Sequence, residues 1–183
     1  FANSLDSPAH VFREDAWKKA EIIHGPHGKL MMSGRFATVF KAKLRDNTHW
    51  AVRCITTNTP DLQKRYEQIS SHINPIDQNS PFVDFNYAQE GIRLLDMNRY
   101  PLIRMKWVEG VTMFKWVTTQ CQSNNTDELE SSLPKWLELI RKLKTRDIAH
   151  GDLQHGNVMF TNSNEMKLVD YDGMCVPSLQ GAD

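Results

Sequence analysis

The stretch His150-Gly151-Asp152-Leu153-Gln154-His155-Gly156-Asn157 decides the reading of this 183-residue chain, together with Leu168-Val169-Asp170-Tyr171-Asp172-Gly173 downstream. Between them lie two short apolar-rich runs, Asn157-Val158-Met159-Phe160 and Met166-Lys167-Leu168-Val169, separated by turn-forming residues from Thr161 to Glu165. That pattern predicts a hairpin. Pairing the two runs would bring Asn157 and Asp170 to the same end of the ladder. Asp152 would sit on the loop entering the first strand. Two carboxylates and an amide would then converge.

Working back from this hairpin, Leu133, Trp136, Leu137, Ile140 and Leu143 recur at helical spacing. Pro134 fits only near a helix start, so the spacing predicts a helix from about Ser132 that ends before Asp147. A shorter helix is expected from Val111 to Thr118, with Gln120 to Thr126 as a polar loop. Further upstream the period changes to two. Phe36, Thr38, Phe40 and Ala42 alternate with Arg35, Ala37, Val39, Lys41 and Lys43. With Lys29–Gly34 before it, Asp46-Asn47 as a turn and His49–Ile55 after it, the region reads as a three-stranded meander.

Thr59-Pro60-Asp61 marks a helix start. The helix would run from Asp61 to Ser71, face inward through Leu62, Tyr66 and Ile69, and stop before Pro75. Phe82–Tyr87, Gly91–Leu95 and Pro101–Val108 read as further strands. The expected fold class is α+β. Residues 29–108 hold a five-stranded antiparallel sheet with one helix, and 109–183 are mainly helical. Residues 1–28 form an arm laid on the domain, with a short helix from Glu14 to Ile23 and His24 and His27 as turn histidines. The cleft between a sheet lobe and a helical lobe is the expected ligand site. The five tryptophans, Trp17, Trp50, Trp107, Trp116 and Trp136, read as packing residues.

Lysine plus arginine balances aspartate plus glutamate at 22 each. The chain therefore has no global field to draw it to nucleic acid or an anionic membrane, and neither is an expected partner. No apolar run approaches the roughly 20 residues that cross a bilayer, and the first residues lack the features of a signal peptide. The missing initiator Met suggests a chain that is processed or cut from something longer. Cys54, Cys121 and Cys175 are odd in number and widely spaced, which argues against a disulfide framework or zinc site and for a reducing cytoplasm.

Carboxylates with an amide suit one chemistry in particular. Phosphoryl transfer needs a divalent cation to bridge negative oxygens, and magnesium prefers oxygen ligands. A second carboxylate, off the metal, can orient and deprotonate an attacking hydroxyl.

The segment 150–157 resembles the catalytic loop of the protein-kinase superfamily, His-Arg-Asp with an Asn five residues after the Asp. The His-Gly-Asp form is also similar to that of aminoglycoside and choline kinases. The Asp-Tyr-Asp-Gly-Met ending is similar to an atypical branch of bacterial kinase-like proteins. The resemblance extends from about Leu30 to Met174. It implies ATP and Mg2+ as cofactors and transfer of the γ-phosphoryl group to a Ser or Thr hydroxyl. Asp152 takes the place of the catalytic base, and Asn157 and Asp170 the places of the metal ligands. Gly34, in Gly34-Arg-Phe-Ala-Thr-Val, stands in the glycine-rich loop. Arg53, in Ala51-Val-Arg-Cys, stands where the phosphate-binding Lys would be, with Glu67 as its helix partner. Met105, Lys106 and Val108 stand at the adenine-binding hinge.

Met32 and Ala37 hold the places of two loop glycines, and four further positions depart from that pattern. Arg53 replaces a lysine, and the two are not interchangeable at a phosphate. Gln154 replaces the lysine two residues after the catalytic Asp, which removes a positive charge. Gly151 replaces the arginine that pairs with a phosphorylated activation loop, so no activation by that route is expected. Asp172 replaces a glycine, either as an extra carboxylate or as a turn-former before Gly173. Only ten residues follow Gly173, with no Ala-Pro-Glu motif. Three readings therefore stand together: a Ser/Thr phosphotransferase, a nucleotide-binding pseudokinase with a regulatory or protein partner, and a small-molecule kinase.

Overall fold

Alternation of apolar and polar residues makes 37–55 a hairpin, and around it the first half of the chain is built. The computed structural model describes residues 4–25, 28–29, 31–33, 37–55, 61–74 and 79–181. Gly34, Arg35, Phe36, the start signal Thr59-Pro60, the stop signal Pro75, and Pro26 and His27 lie outside the described residues. The chain divides into two units, Phe1–Glu67 with Asp84–Trp107, and Gln68–Val83 with Val108–Asp183.

In the first unit the arm carries the helices α1 (Pro8–Val11) and α2 (Asp15–Lys18) and the short strands β1 (Glu21–Ile22) and β2 (His24–Gly25). Strands β3 (Gly28–Lys29), β4 (Met31–Ser33), β5 (Ala37–Lys43) and β6 (His49–Ile55) follow, then helix α3 (Leu62–Ile73) and strands β7 (Phe85–Arg93) and β8 (Arg99–Lys106). The main sheet is antiparallel in the order β1-β5-β6-β8-β7, with β4 also on β5. β1 pairs with Ala42 and Lys43, and β4 with Thr38 to Phe40. The two short strands thus share one edge, and the sheet has five strand positions.

Register assigns the two faces of this sheet. Phe40, Val52 and Arg104 lie opposite one another on one face, with Cys54 and Leu102 beside them. The arm covers that face. Leu5, Val11, Phe12, Trp17, Ala20 and Ile22 join Phe40, Val52, Cys54, Ile92 and Leu102 in one buried cluster. Instead of a helix from Glu14 to Ile23, the arm forms only α2 before β1. The extended backbone lets Ile22 pair with Ala42 and bury itself there. Arg104 is only 2% exposed. Its guanidinium pairs with Glu14 at 2.6 Å and lies 4.4 Å from the Trp17 ring, which offsets part of its desolvation.

The other face carries Val39, Arg53, Ile103 and Tyr87 in register, and Tyr66 of α3 packs on it. Tyr66 of α3 stacks on Tyr87 at 5.9 Å and meets Phe85 edge-on at 5.8 Å. Tyr66 and Ile69 are buried as expected, Leu62 only partly, and Ile73 extends the inner face beyond Ser71.

The second unit contains β9 (Gly110–Thr112), α4 (Met113–Gln122), α5 (Thr126–Thr145), β10 (Val158–Thr161) and β11 (Met166–Leu168). The strands form an antiparallel sheet in the order β11-β10-β9. Gly110 to Thr112, expected at a helix start, pair instead with Met159 to Thr161. Thr112 then caps α4 by accepting from the Lys115 N–H. The stretch Gln120–Thr126 is not a loop throughout. α4 runs to Gln122, and the Asn125 side chain caps α5 by accepting from the Glu128 N–H. α5 therefore begins six residues before Ser132 and passes through Pro134. Pro134 and Glu130 are both exposed, so water can meet the carbonyl that the proline leaves without its helical donor. The inward residues are Leu139 and Leu143, while Leu133 and Leu137 are 59% and 66% exposed.

Residues 68–83 belong with this unit. The Leu168 N–H donates to the Pro81 carbonyl at 2.7 Å, and the His72 Nε2 lies 2.6 Å from the Arg146 carbonyl. Among the described residues no helix is long and apolar enough to cross a membrane. All three cysteines are free, and burial pushes the Cys54 thiol up to about 12, which leaves it unreactive.

Candidate functional site

β10 and β11 pair in the register Val158↔Leu168, Met159↔Lys167, Phe160↔Met166. The ladder continues one step further, where the Val169 N–H donates to the Asn157 carbonyl at 3.0 Å. Asn157 and Asp170 thus sit at the same end of the hairpin, as its spacing predicts. Asp170 has φ 63°, a left-handed conformation that turns the chain sharply out of the strand. Aspartate and asparagine tolerate this region better than other side chains.

The loop before β10 draws Asp152 to Asn157. Asn157 Nδ2 donates to the Asp152 backbone carbonyl at 2.9 Å and to Asp152 Oδ2 at 2.8 Å. Both acceptors are oxygens, so the amide orientation follows from chemistry. The Asn157 Oδ1 is the atom turned away from Asp152. Gln154 Nε2 donates to the same Oδ2 at 2.9 Å. Two amides therefore hold one oxygen of the carboxylate, and Oδ1 is its other acceptor. Gln154 stood out in the sequence only as a missing lysine. Its contact with Asp152 depends on how the loop folds back.

His150 anchors the loop from beneath. It is 3% exposed, its Nε2 lies 3.2 Å from the Val169 carbonyl, and its ring meets Tyr171 edge-on. Burial pushes its pKa down from 6.5, opposed by the Val169 carbonyl and by the Asp170 and Asp152 carboxylates. Below about pH 6.5 the unfolded chain takes up a proton that folded His150 resists, so this group's contribution to stability falls as pH drops. Urea unfolding at pH 7.5 and 5.5 should therefore show a larger acid loss for wild type than for His150→Gln.

The segment after β11 closes the frame. Ala149 and Cys175 exchange backbone hydrogen bonds at 3.0 and 2.7 Å. Tyr171 is fully buried, donates to the Leu168 carbonyl at 3.0 Å and accepts from the Val83 N–H at 2.9 Å. Tyr171→Phe should cost about 1–3 kcal/mol, because it strands a buried N–H. Chemical denaturation checks this. Asp172 and Gly173 form the turn between Tyr171 and Met174, where the Met174 N–H reaches the Tyr171 carbonyl. Asp172 is exposed there.

The remaining sequence-predicted residues fall as follows. Arg53 lies on the sheet face that meets Tyr66 of α3, level with Ile103 and Tyr87. Glu67 is exposed on α3, accepts from Gln63 at 2.7 Å, and raises the Tyr87 pKa as a secondary effect after burial. Met105 and Lys106 end β8, and the Lys106 N–H donates to the Asp84 carbonyl at 2.7 Å. Val108 begins the second stretch of the other unit. Gly34 lies outside the described residues.

Among the described residues no group of three or more His, Cys, Asp or Glu side chains could form a metal cage. The Asn157–Asp170 pair suits a cation that keeps most of its own water. Magnesium does so, needing only one or two protein oxygens besides those of a phosphate. Asn157 fits because its nitrogen faces Asp152 and its oxygen does not. No model of a protein family matches the chain, and a search of curated proteins returns no match.

Proposed function

We propose that the chain is a kinase-like nucleotide-binding protein and transfers the γ-phosphoryl group of ATP to a Ser or Thr hydroxyl. The observation that carries this reading is the double donation of Asn157 Nδ2 to Asp152, at the same hairpin end as Asp170. It supports a division of roles between the remaining oxygens. Asp152 orients the acceptor hydroxyl and takes its proton through Oδ1. Asn157 Oδ1 and the Asp170 carboxylate hold Mg2+, which when bound neutralises phosphate charge. Arg53, supported by Glu67, contacts phosphate oxygens, and the Lys106 and Val108 backbone receives adenine.

One observation favours a second reading. The residue in the place of the positively charged lysine, Gln154, is neutral and spends its amide on Asp152. A protein that binds nucleotide without transferring phosphate would tolerate this. Calorimetry with ATP, with and without Mg2+, tests what both readings share. Asp170→Asn keeps a side chain suited to the left-handed backbone but removes the charge. It should lower Mg2+-dependent ATP affinity by about tenfold or more. Wild-type protein that ignores ATP under all metal conditions would end both readings. Transfer to a protein acceptor then separates them.

A further inference from the structure

Within the second unit, away from Asp152, α5, the β10–β11 turn and the stretch Asn79–Pro81 enclose a cleft of about 330 Å³. This lies at the lower end of small-molecule sites, about 300–1,000 Å³. Three lysines line it, Lys135, Lys142 and Lys167. Each ammonium is anchored on a backbone carbonyl. Lys135 reaches Asn164 at 3.0 Å, Lys142 reaches Asn79 at 2.5 Å, and Lys167 reaches Ser80 at 2.8 Å. An ammonium carries three donors, so one carbonyl does not exhaust Lys135 or Lys142, and the charge of Lys167 adds to theirs.

The carbonyls of Asn79 and Ser80 are consecutive, so Lys142 and Lys167 are held along one rim. Two like charges fixed there repel, the more so because the Lys167 side chain is only 15% exposed. Glu138 and Glu165 also line the cleft and form ion pairs with Lys142 at 3.9 Å and Lys167 at 3.7 Å, too long for hydrogen bonds, which offset part of the positive charge. The lining carries three positive and two negative side chains. Buried Leu139, Met166 and Pro81 supply apolar wall.

We propose that this cleft binds a small organic phosphate, with its phosphate on the three lysines and its organic part against Leu139, Met166 and Pro81. Lysine is a point charge suited to a tetrahedral dianion. The planar fork of arginine, which matches a carboxylate, is absent from the described lining. This site does not depend on the reading of Asp152.

The test is calorimetry on the full chain, with glucose 6-phosphate and inorganic phosphate as probes. Glucose 6-phosphate should bind saturably, more weakly as salt rises, and more tightly than inorganic phosphate. The pair Lys142→Gln and Lys167→Gln should weaken it about tenfold or more. Those lysines also hold two carbonyls, so Ser163→Glu serves as a second variant. It adds a repelling charge at an exposed lining position and leaves all three lysine anchors in place. It should cause a similar loss, while Asp170→Asn should leave glucose 6-phosphate binding unchanged. Absence of saturable binding, equal affinity in the lysine and Ser163 variants, or inorganic phosphate binding as tightly as the sugar phosphate would overturn the proposal. So would a phosphoserine peptide binding about tenfold tighter than either, which would assign the cleft to a protein partner.

Discussion

Asp152→Asn is expected to reduce phosphate transfer by about 10²–10⁴-fold, the usual worth of a positioned general base, with MgATP affinity changed by no more than about twofold. Asparagine is the informative substitution. Its carbonyl oxygen can take the two amide donations that Asp152 Oδ2 receives from Asn157 and Gln154. Its NH2 group then stands where Oδ1 was, and it cannot accept a proton. The loop keeps its hydrogen bonds and loses only the base. Single-turnover transfer and nucleotide calorimetry measure the two effects separately. Unchanged transfer would remove Asp152 from the chemistry. Loss of ATP binding together with transfer would make it a structural or metal-binding residue.

Gly151→Ala is expected to destabilise the fold by about 3 kcal/mol or more, which for a chain of this size lowers Tm by about 6–12 °C. Gly151 has φ +77°, and a Cβ there would stand 1.9 Å from the Gly173 carbonyl oxygen and 2.5 Å from its carbon. The obstacle is backbone, so no rotamer relieves it. Gly173 cannot retreat freely, because the neighbouring strands are tied by the Ala149–Cys175 bridge. The left-handed conformation adds roughly 1–2 kcal/mol of its own for any Cβ-bearing residue. Thermal unfolding of the single variant checks the prediction, and a Tm within about 2 °C of wild type would refute it. The same contact bars an arginine at this position.

Much of the site was legible because hairpin register is a local property. The period-two runs around 158–168 and the turn between them place Asn157 and Asp170 at one end, and the ladder does so in the folded chain. The meander of β5 and β6 was legible for the same reason. Helix limits were less so. Pro134 suggests a start near Ser132, yet the Asn125 cap and the acidic residues Asp127 and Glu128 start α5 earlier, and exposure of Pro134 and Glu130 lets water offset part of the proline's cost. Leu133 and Leu137 share the helical spacing of Leu143 but are exposed, because spacing gives a stripe but not its rotation. The buried face is set by Leu139 and Leu143.

The residue types alone determined the α+β character, the antiparallel ladders and the placing of Asn157 and Asp170 at one hairpin end, since each follows from side-chain period and turn chemistry over short spans. Tertiary structure alone decided the rest. It buries the arm through Phe12 and Trp17, places residues 80–83 beside β11 and Tyr171, and presses Gly151 against Gly173. It also gathers Lys135, Lys142 and Lys167 around one cleft. These contacts join residues tens of positions apart or more. Whether two such segments meet depends on the burial available to the whole chain, which no local pattern encodes.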